Sequence, residues 1–326
     1  MSRKITWKKG MRLSPEVFIA ADNAYEDTLH MAALLTSAGR LGLFTTSKPF
    51  ELSVNINNNT LEVTSLSCHG VTRSGKIVDI EFDSNYSNTF DTRIAIPAHH
   101  ESDAYLLVVK MYAREWREVD EMYSESKYTF ELLGVNSKID DDSLPIGCIV
   151  NQYGWRLNEI DFVPPCLYLS AHPMYMNQLG RIQSLAKDIW VKCIQADRCE
   201  ARILLSEVCL AISRVAIRLD KERDTLTPNQ LYAEVQNFVS AFVLGCRLDC
   251  HINLENQEPF LQYMQKPYDL RNVYKDIEQG CELLCMIAQK METVFKMVEE
   301  VPVVVEEKKV VKEPELPKPR KNRKEI

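Results

Sequence analysis

Hydrophobic periodicity changes once along this chain, and that change limits what it can fold into. Between Phe50 and Phe162 apolar residues alternate with polar ones in short runs, whereas from Met174 onward they recur every three or four positions. A period of two puts alternate side chains on opposite faces of a strand; a period of 3.6 gathers them on one face of a helix. Phe50 to Ile56 alternates, Asn57, Asn58 and Asn59 form a turn, and Thr60 to Leu66 alternates again. That pattern predicts a hairpin, because asparagine tolerates positive φ. Further strands are expected over Lys76–Asp83, Thr92–Ile96, Tyr105–Tyr112, Tyr128–Val135, Ile146–Gln152 and Arg156–Phe162. Short strands separated by turns in this number predict a β-sandwich or a barrel-like domain. Ala104 to Met111 is apolar on both faces, which predicts an interior strand.

One helix precedes the strands. Ser14 suits the cap, Pro15 the first helical position and Glu16 the positive end of the helix dipole. Val17, Phe18, Ala21, Ala24, Tyr25, Thr28, Leu29, Ala32 and Leu35 follow at helical spacing until Gly39. Trp7, Met11, Leu13 and Phe18 read as a packed unit that anchors the N-terminal segment to this helix, with a partner-facing surface as the competing role.

After Met174 the pattern predicts four helices. Leu179, Ile182, Leu185, Ala186, Ile189 and Cys193 mark the first, and 199–221 the second. That second helix is apolar almost all round, so it must bury more than one face, inside a bundle or between subunits. Leu204, Val208, Ile212 and Val215 are its expected subunit-facing stripe. Thr227, Pro228 and Gln230 form a capping box opening a third helix that runs to about Leu248, and Val273 to Val298 carries a fourth. Four helices joined by short connections, except across 251–270, describe a bundle. The expected organisation is therefore a β-sandwich with one N-terminal helix over 1–171, a four-helix bundle over 172–299, and a disordered tail over 300–326. In the tail, Pro314, Pro317 and Pro319 oppose helix formation, and Lys318, Arg320, Lys321, Arg323 and Lys324 concentrate positive charge suited to electrostatic docking.

Chemistry is sparse. There is no Gly-x-Ser-x-Gly, phosphate loop, dinucleotide fingerprint or His-Glu-x-x-His, and 11 glycines supply no Gly-rich loop. His99 and His100 would point to opposite sides of a strand, and His69 beside Cys68 reads as a core or turn residue. The Asp140, Asp141 and Asp142 run lacks calcium-loop spacing. Cys246, Cys250 and His251, and Cys281 with Cys285, have the i, i+4 spacing that can place two ligands on one helix face, but core filling by small apolar thiols competes with a metal site. No cofactor is expected. A net charge of −7 argues against nucleic acid as a partner of the bulk of the chain. Without an apolar run of membrane-spanning length or a signal-like N-terminus, the chain is expected to be cytoplasmic, with reduced cysteines.

Two segments carry a resemblance. The first holds Trp7, Gly10, Met11, Leu13, Pro15 and Phe18; the second holds Phe162, Pro164 and Pro165 ahead of Leu167 and Leu169. They resemble the opening Trp-x-x-Gly-Met-x-Leu-x-Pro-x-x-Phe-like stretch and the Phe-x-Pro-Pro-like turn of the TssK family, baseplate subunits of type VI secretion systems. Cys68 to Asp79, Arg93 to Pro97, Phe130 to Leu133, Leu144 to Ile160 and Pro228 to Tyr232 match further stretches in order. The resemblance implies a homotrimer whose β-sandwich shoulder binds the wedge subunits TssF and TssG, followed by a helical neck and a head that contacts the membrane complex. Only the basic tail stands where the family has its head, so a compact form is expected, at the inner face of the cytoplasmic membrane when assembled. The rival expectation is a trimeric phage-like receptor- or glycan-binding protein using Tyr86, Phe90, Tyr112 and Trp116.

Overall fold

The computed structural model describes residues 8–57, 59–83, 92–97, 103–118, 124–195, 202–249, 254 and 256–299. Helix α1 spans Pro15–Ser37. Ser14 takes the extended backbone of a cap, yet its hydroxyl makes no cap bond; it serves Glu16 instead and holds that carboxyl below its ordinary pKa. Two consecutive left-handed residues, Ala38 (φ 52°) and Gly39 (φ 69°), end the helix, with Gly39 N–H donating to Leu34 O.

Among the described residues nine strands follow: β1 (Gly42–Leu43), β2 (Glu51–Asn57), β3 (Thr60–Val71), β4 (Ile77–Asp83), β5 (Arg93–Ala95), β6 (Ala104–Glu118), β7 (Ser124–Gly134), β8 (Ser143–Asn151) and β9 (Trp155–Leu157). In the first sheet β3 is central. Its register pairs β2 and β1 along one edge and β4 and β5 along the other, all antiparallel. Leu61, Val63, Leu66 and Cys68 of β3 are all buried although strict alternation would split them. The register shifts between Ser53 and Val54, leaving Thr64 as the extra residue of a bulge. That one insertion reverses the parity and keeps both halves of the strand facing the core.

The second sheet runs β7-β6-β8-β9. Its central strand is interior on both sides, as its composition predicts. Tyr105, Leu107, Val109 and Met111 enter the main core, while Leu106 and Val108 join Ile139, Cys148 and Phe162 in a smaller cluster on the other face. The sheets pack face to face, closely enough that a Cβ on Gly147 would meet Leu52 Cδ2 at 2.9 Å.

Helices α2 (Pro173–Gln195), α3 (Arg202–Lys221), α4 (Pro228–Leu248) and α6 (Val273–Glu299) pack in the cyclic order α2, α3, α4, α6. The capping box at Thr227 is complete: Gln230 N–H donates to Thr227 Oγ1 at 3.2 Å, and Thr227 N–H to Gln230 Oε1 at 2.9 Å. A fifth helix, α5 (Glu258–Gln265), occupies part of the expected long connection and seats Phe260 on Phe242 and Tyr263 on Tyr232. Gly245 allows α4 to approach α3, since a Cβ there would lie 2.8 Å from Leu204 Cα. Asp249, just past α4, accepts the Leu204 N–H at 2.6 Å and so satisfies a donor at the start of α3. Asp249→Ala is expected to destabilise the chain by about 1–2 kcal/mol, as loss of a cap does, read from the urea midpoint.

Sandwich and helices share one continuous core, which passes through Val163, Cys166, Leu169 and Tyr175. Leu43 N–H donates to Pro165 O at 2.7 Å, Leu167 N–H to Leu43 O at 2.8 Å, and Leu169 N–H to Leu226 O at 2.9 Å. Arg271 adds a second tie, donating to Val135 O at 2.6 Å and Ser137 O at 2.5 Å. No described helix is long and apolar enough to cross a membrane.

Candidate functional site

The residues with chemical potential are mostly engaged in structure. Strand alternation places Cys68 in the core and His69 on the opposite face. There His69 meets Asp79 (2.8 Å) and Glu81 (3.3 Å) across β3 and β4, and Glu81 also pairs with Lys48. The acidic run is spent on the β3–β4 turn and on β6: Asp142 pairs with Lys76 at 2.8 Å and accepts from Ser74 Oγ at 2.6 Å, and Asp140 pairs with Lys110 of β6 at 3.3 Å. Burial pushes the Cys246 thiol up to about 11 and Cys281 up to about 12, and Cys281 Sγ donates to Gln178 Oε1. Such thiols are core residues with little thiolate character. Among the described residues no group of three or more His, Cys, Asp or Glu is placed to hold a metal. His99, His100, Cys250 and His251 lie outside the described residues, as do Trp7, Tyr86, Phe90 and the tail cluster Lys318, Arg320, Lys321, Arg323 and Lys324. Trp116 is exposed, whereas half-buried Tyr112 lies under Lys127 Nζ, 5.1 Å from its ring centre.

The unusual surface is α1, whose inward side mixes Ala24 and Leu34 with polar residues while most of its large apolar side chains point outward. Glu26, Asp27 and His30 face the β3–β4 turn and β6, lining a recess with Gly75, Lys76 and Tyr112, and His30 Nε2 bonds with Ser74 O. Only Ala24 and Ser37 of the helix are buried. Outward stand Phe18, Tyr25, Met31 and Leu35, with Met11 and Leu13 leading into the helix. Phe18, Ala21, Tyr25, Thr28, Ala32 and Leu35 follow the alternating three-and-four spacing of a helix-packing seam. Leu29 and Ala32 border an apolar cleft of about 350 Å³ that continues onto Phe44, Val71, Ile77 and Leu167 of the body.

The extent of this face is informative. Eight large apolar side chains from Met11 to Leu35 are each between 36% and 77% exposed. At roughly 150–200 Å² per side chain they present roughly 650–900 Å², above the ~300–600 Å² of the largest patch on a typical monomer. One partner's share of a standard interface is about 800 Å². From Leu13 to Gly39 the chain has Glu16, Asp22, Glu26 and Asp27 and no lysine or arginine, so the face is framed by negative charge. Met11, Leu13 and Phe18 thus lie at a surface and not in a packed core, and Ile19, Tyr25, Leu29, Met31 and Leu35 extend it. The periodicity and the missing cations were visible in the sequence; the outward orientation was not.

On α3 the structure separates two stripes. Leu204, Val208, Ile212 and Val215, expected to face other subunits, are buried in the chain's own core. Packing against α2 and α4 fills that side, and Gly245 brings the α4 backbone against Leu204. The exposed large apolar residues of the helix are instead Ile203, Leu210 and Ile217.

No family model matches the chain, and no curated protein matches it. Solved structures do. The chain is similar to a crystal structure of TssK, with a TM-score of 0.58 and 15% identity over 88% of this chain and 70% of that one. It is also similar to a chain of the TssK-TssF-TssG baseplate subcomplex of a type VI secretion system, solved by electron cryomicroscopy, with a TM-score of 0.55, 14% identity, and coverage of 89% and 99%. A chain of the type VI secretion baseplate complex gives a TM-score of 0.50 at 14% identity, with coverage of 89% and 99%. The arrangement of strands and helices described above is therefore the TssK fold.

Proposed function

We propose that this chain, having the TssK fold, is a non-enzymatic structural adaptor of a contractile injection baseplate. It works as a homotrimer, takes wedge subunits of the TssF and TssG type on the outward face of α1, and links them to the membrane side. The observation that supports this reading most is the inverted α1: a helix that turns its apolar seam away from its own sandwich is built to be covered by another polypeptide. Met11, Leu13 and Phe18 belong to that surface, and the acidic frame favours a partner segment with lysine or arginine beside its apolar residues. The similarity to a chain seen in complex with TssF and TssG supplies the class of partner. In this reading the protein is cytoplasmic and sits at the inner face of the cytoplasmic membrane when assembled.

Co-expression with the TssF- and TssG-type proteins of the same cell tests the reading. Recovery of all three through a tag on this chain is expected. A folded chain recovered without either wedge protein, under conditions in which those two recover each other, would overturn it. For the membrane-side link we propose the basic cluster Lys318, Arg320, Lys321, Arg323 and Lys324. Deleting 301–326 is expected to leave the oligomer intact and weaken recruitment to the membrane, measured by fractionation; unchanged recruitment would remove the tail from the account.

A further inference from the structure

We propose that the tail of this chain docks on its own body: Leu316, flanked by Pro317 and Pro319, seats in the cavity between the sandwich and the start of α2, with Lys318 and Arg320 over its acidic rim. The docking stands apart from the adaptor reading; only its consequence for the membrane-side link rests on that reading.

The cavity holds about 210 Å³ and opens where β2, β8 and β9 meet the first turn of α2. Phe50, Leu52, Leu157, Phe162, His172 and Met174 wall it, and Gly147 adds no side chain to it. The rings of Phe50 and His172 stand 5.9 Å apart. An apolar cavity of about 150 Å³ takes a benzene, so this one has room for a leucine side chain and part of a proline ring. Its polar equipment is small. His172 Nδ1 accepts the Met174 N–H at 3.3 Å, so Nε2 carries the ring hydrogen, and burial lowers the pKa to about 4, which keeps the ring neutral at pH 7. Glu159 at the rim is exposed and in no ion pair among the described residues, and the lining has no lysine or arginine. Beside it Ile160 is 80% exposed. The site therefore offers apolar walls, one N–H donor and a negative edge.

The tail supplies the complement. Between Val311 and Ile326, Leu316 is the one large apolar residue other than proline. Pro314, Pro317 and Pro319 fix φ near −65° and favour the polyproline form, whose carbonyls are free to accept. With three residues per turn, Leu316 and Pro319 share a face about 9 Å apart. Segments of that kind dock in grooves lined by aromatic rings. Residues 316–326 hold five cations and one glutamate against a net charge of −7 for the whole chain, so the remainder carries −11. Opposite charge draws the two together.

Reach is sufficient. The tail begins where α6 ends, and α6 starts beside the cavity, since Lys275 of its first turn pairs with Asp161 at 3.4 Å. Its 27 residues rise about 40 Å. Residues 300–315 span about 50 Å as polyproline, enough to return along the bundle. Tethering makes the encounter intramolecular, at an effective concentration of about millimolar order. Docked in this way, Lys318, Arg320, Lys321, Arg323 and Lys324 are held at the body. The cavity and the membrane side then compete for one segment, and the tail is released only where the membrane side binds it more tightly.

A benzophenone amino acid at position 315 of the full chain, next to Leu316, tests the docking. On illumination it is expected to cross-link to residues 157–162 or to Met174, mapped by mass spectrometry after digestion. Leu316→Asp and, separately, Glu159→Lys should each cut the yield at least threefold; neither position is buried in the body. Cross-links that map elsewhere, or a yield that both substitutions leave unchanged, would overturn the docking. So would cross-links that mixtures of labelled and unlabelled chains show to join different copies, because the tail would then sit on a neighbour. Leu316→Asp should also raise the fraction recovered with membranes at least twofold. Unchanged recovery beside a lost cross-link would overturn the competition and leave the docking standing, whereas failure of the adaptor reading would leave the cross-link in place.

Discussion

Gly42→Ala is expected to lower the stability of this chain by about 2–4 kcal/mol, the sum of backbone strain of about 1–3 kcal/mol and overpacking of about 1–3 kcal/mol that partial relaxation offsets. Gly42 has φ 154° and lies where β1 meets the segment leading into α2. An added Cβ would sit 2.8 Å from the Cys166 carbonyl carbon and 2.9 Å from Leu167 N. Both are backbone atoms and cannot turn aside as a side chain would. Relief requires moving the two segments apart, which breaks the hydrogen bonds of Leu43 with Pro165 and Leu167. Gly154→Ala is the matched control: its φ is 127°, but nothing lies within 4 Å of its added Cβ, so it reports strain alone. Urea denaturation of both should show the larger loss for Gly42→Ala. Equal losses would mean that the close approach of β1 to residues 166 and 167 does not limit this position.

A chain carrying both Phe18→Asp and Leu35→Asp is expected to remain as stable as the natural one to within about 0.5 kcal/mol, since both residues are exposed. Its affinity for a wedge partner should fall at least 100-fold. Each charge would be placed in an apolar contact, where truncation of a central residue alone typically costs about 2 kcal/mol or more. The negative charges would also add to those of Glu16 and Asp22 beside the seam. Isothermal titration with the co-purified wedge pair measures the loss, and a urea curve of the variant checks the fold. A loss of stability above about 2 kcal/mol would instead make the α1 face part of the chain's own packing, since only buried groups carry costs of that size. Unchanged affinity would move the wedge contact elsewhere.

Local pattern was sufficient for much of the fold. Alternation located the hairpin of β2 and β3, the two-sided apolar run of β6 marked it as interior, and the capping box at Thr227 opens α4 as its sequence implies. The Thr64 bulge was hidden because one extra residue changes register without changing composition. Helix α5 was hidden because Glu258–Gln265 is little more than two turns long, and Phe260 and Tyr263 declare themselves only when α4 supplies their partners. His69, expected in the core or a turn, lies mid-strand on the face away from the core, and its pairing with Asp79, like that of Asp142 with Lys76, depends on contacts across strands and loops.

What the sequence by itself determined is periodicity: two kinds of secondary structure, their order, and an apolar stripe on each helix. Which stripe faces inward was decided only by tertiary structure. A helix's own residues specify the angle between its faces, not the neighbour that covers one of them. On α1 His30 meets Ser74 O on the sandwich side, where Glu26 and Asp27 line the same recess as Lys76, and Phe18, Tyr25 and Leu35 were left outside. On α3 the adjacent residues Ile203 and Leu204 are about 100° apart around the helix. Packing of α2 and α4 buried Leu204 and left Ile203 at the surface.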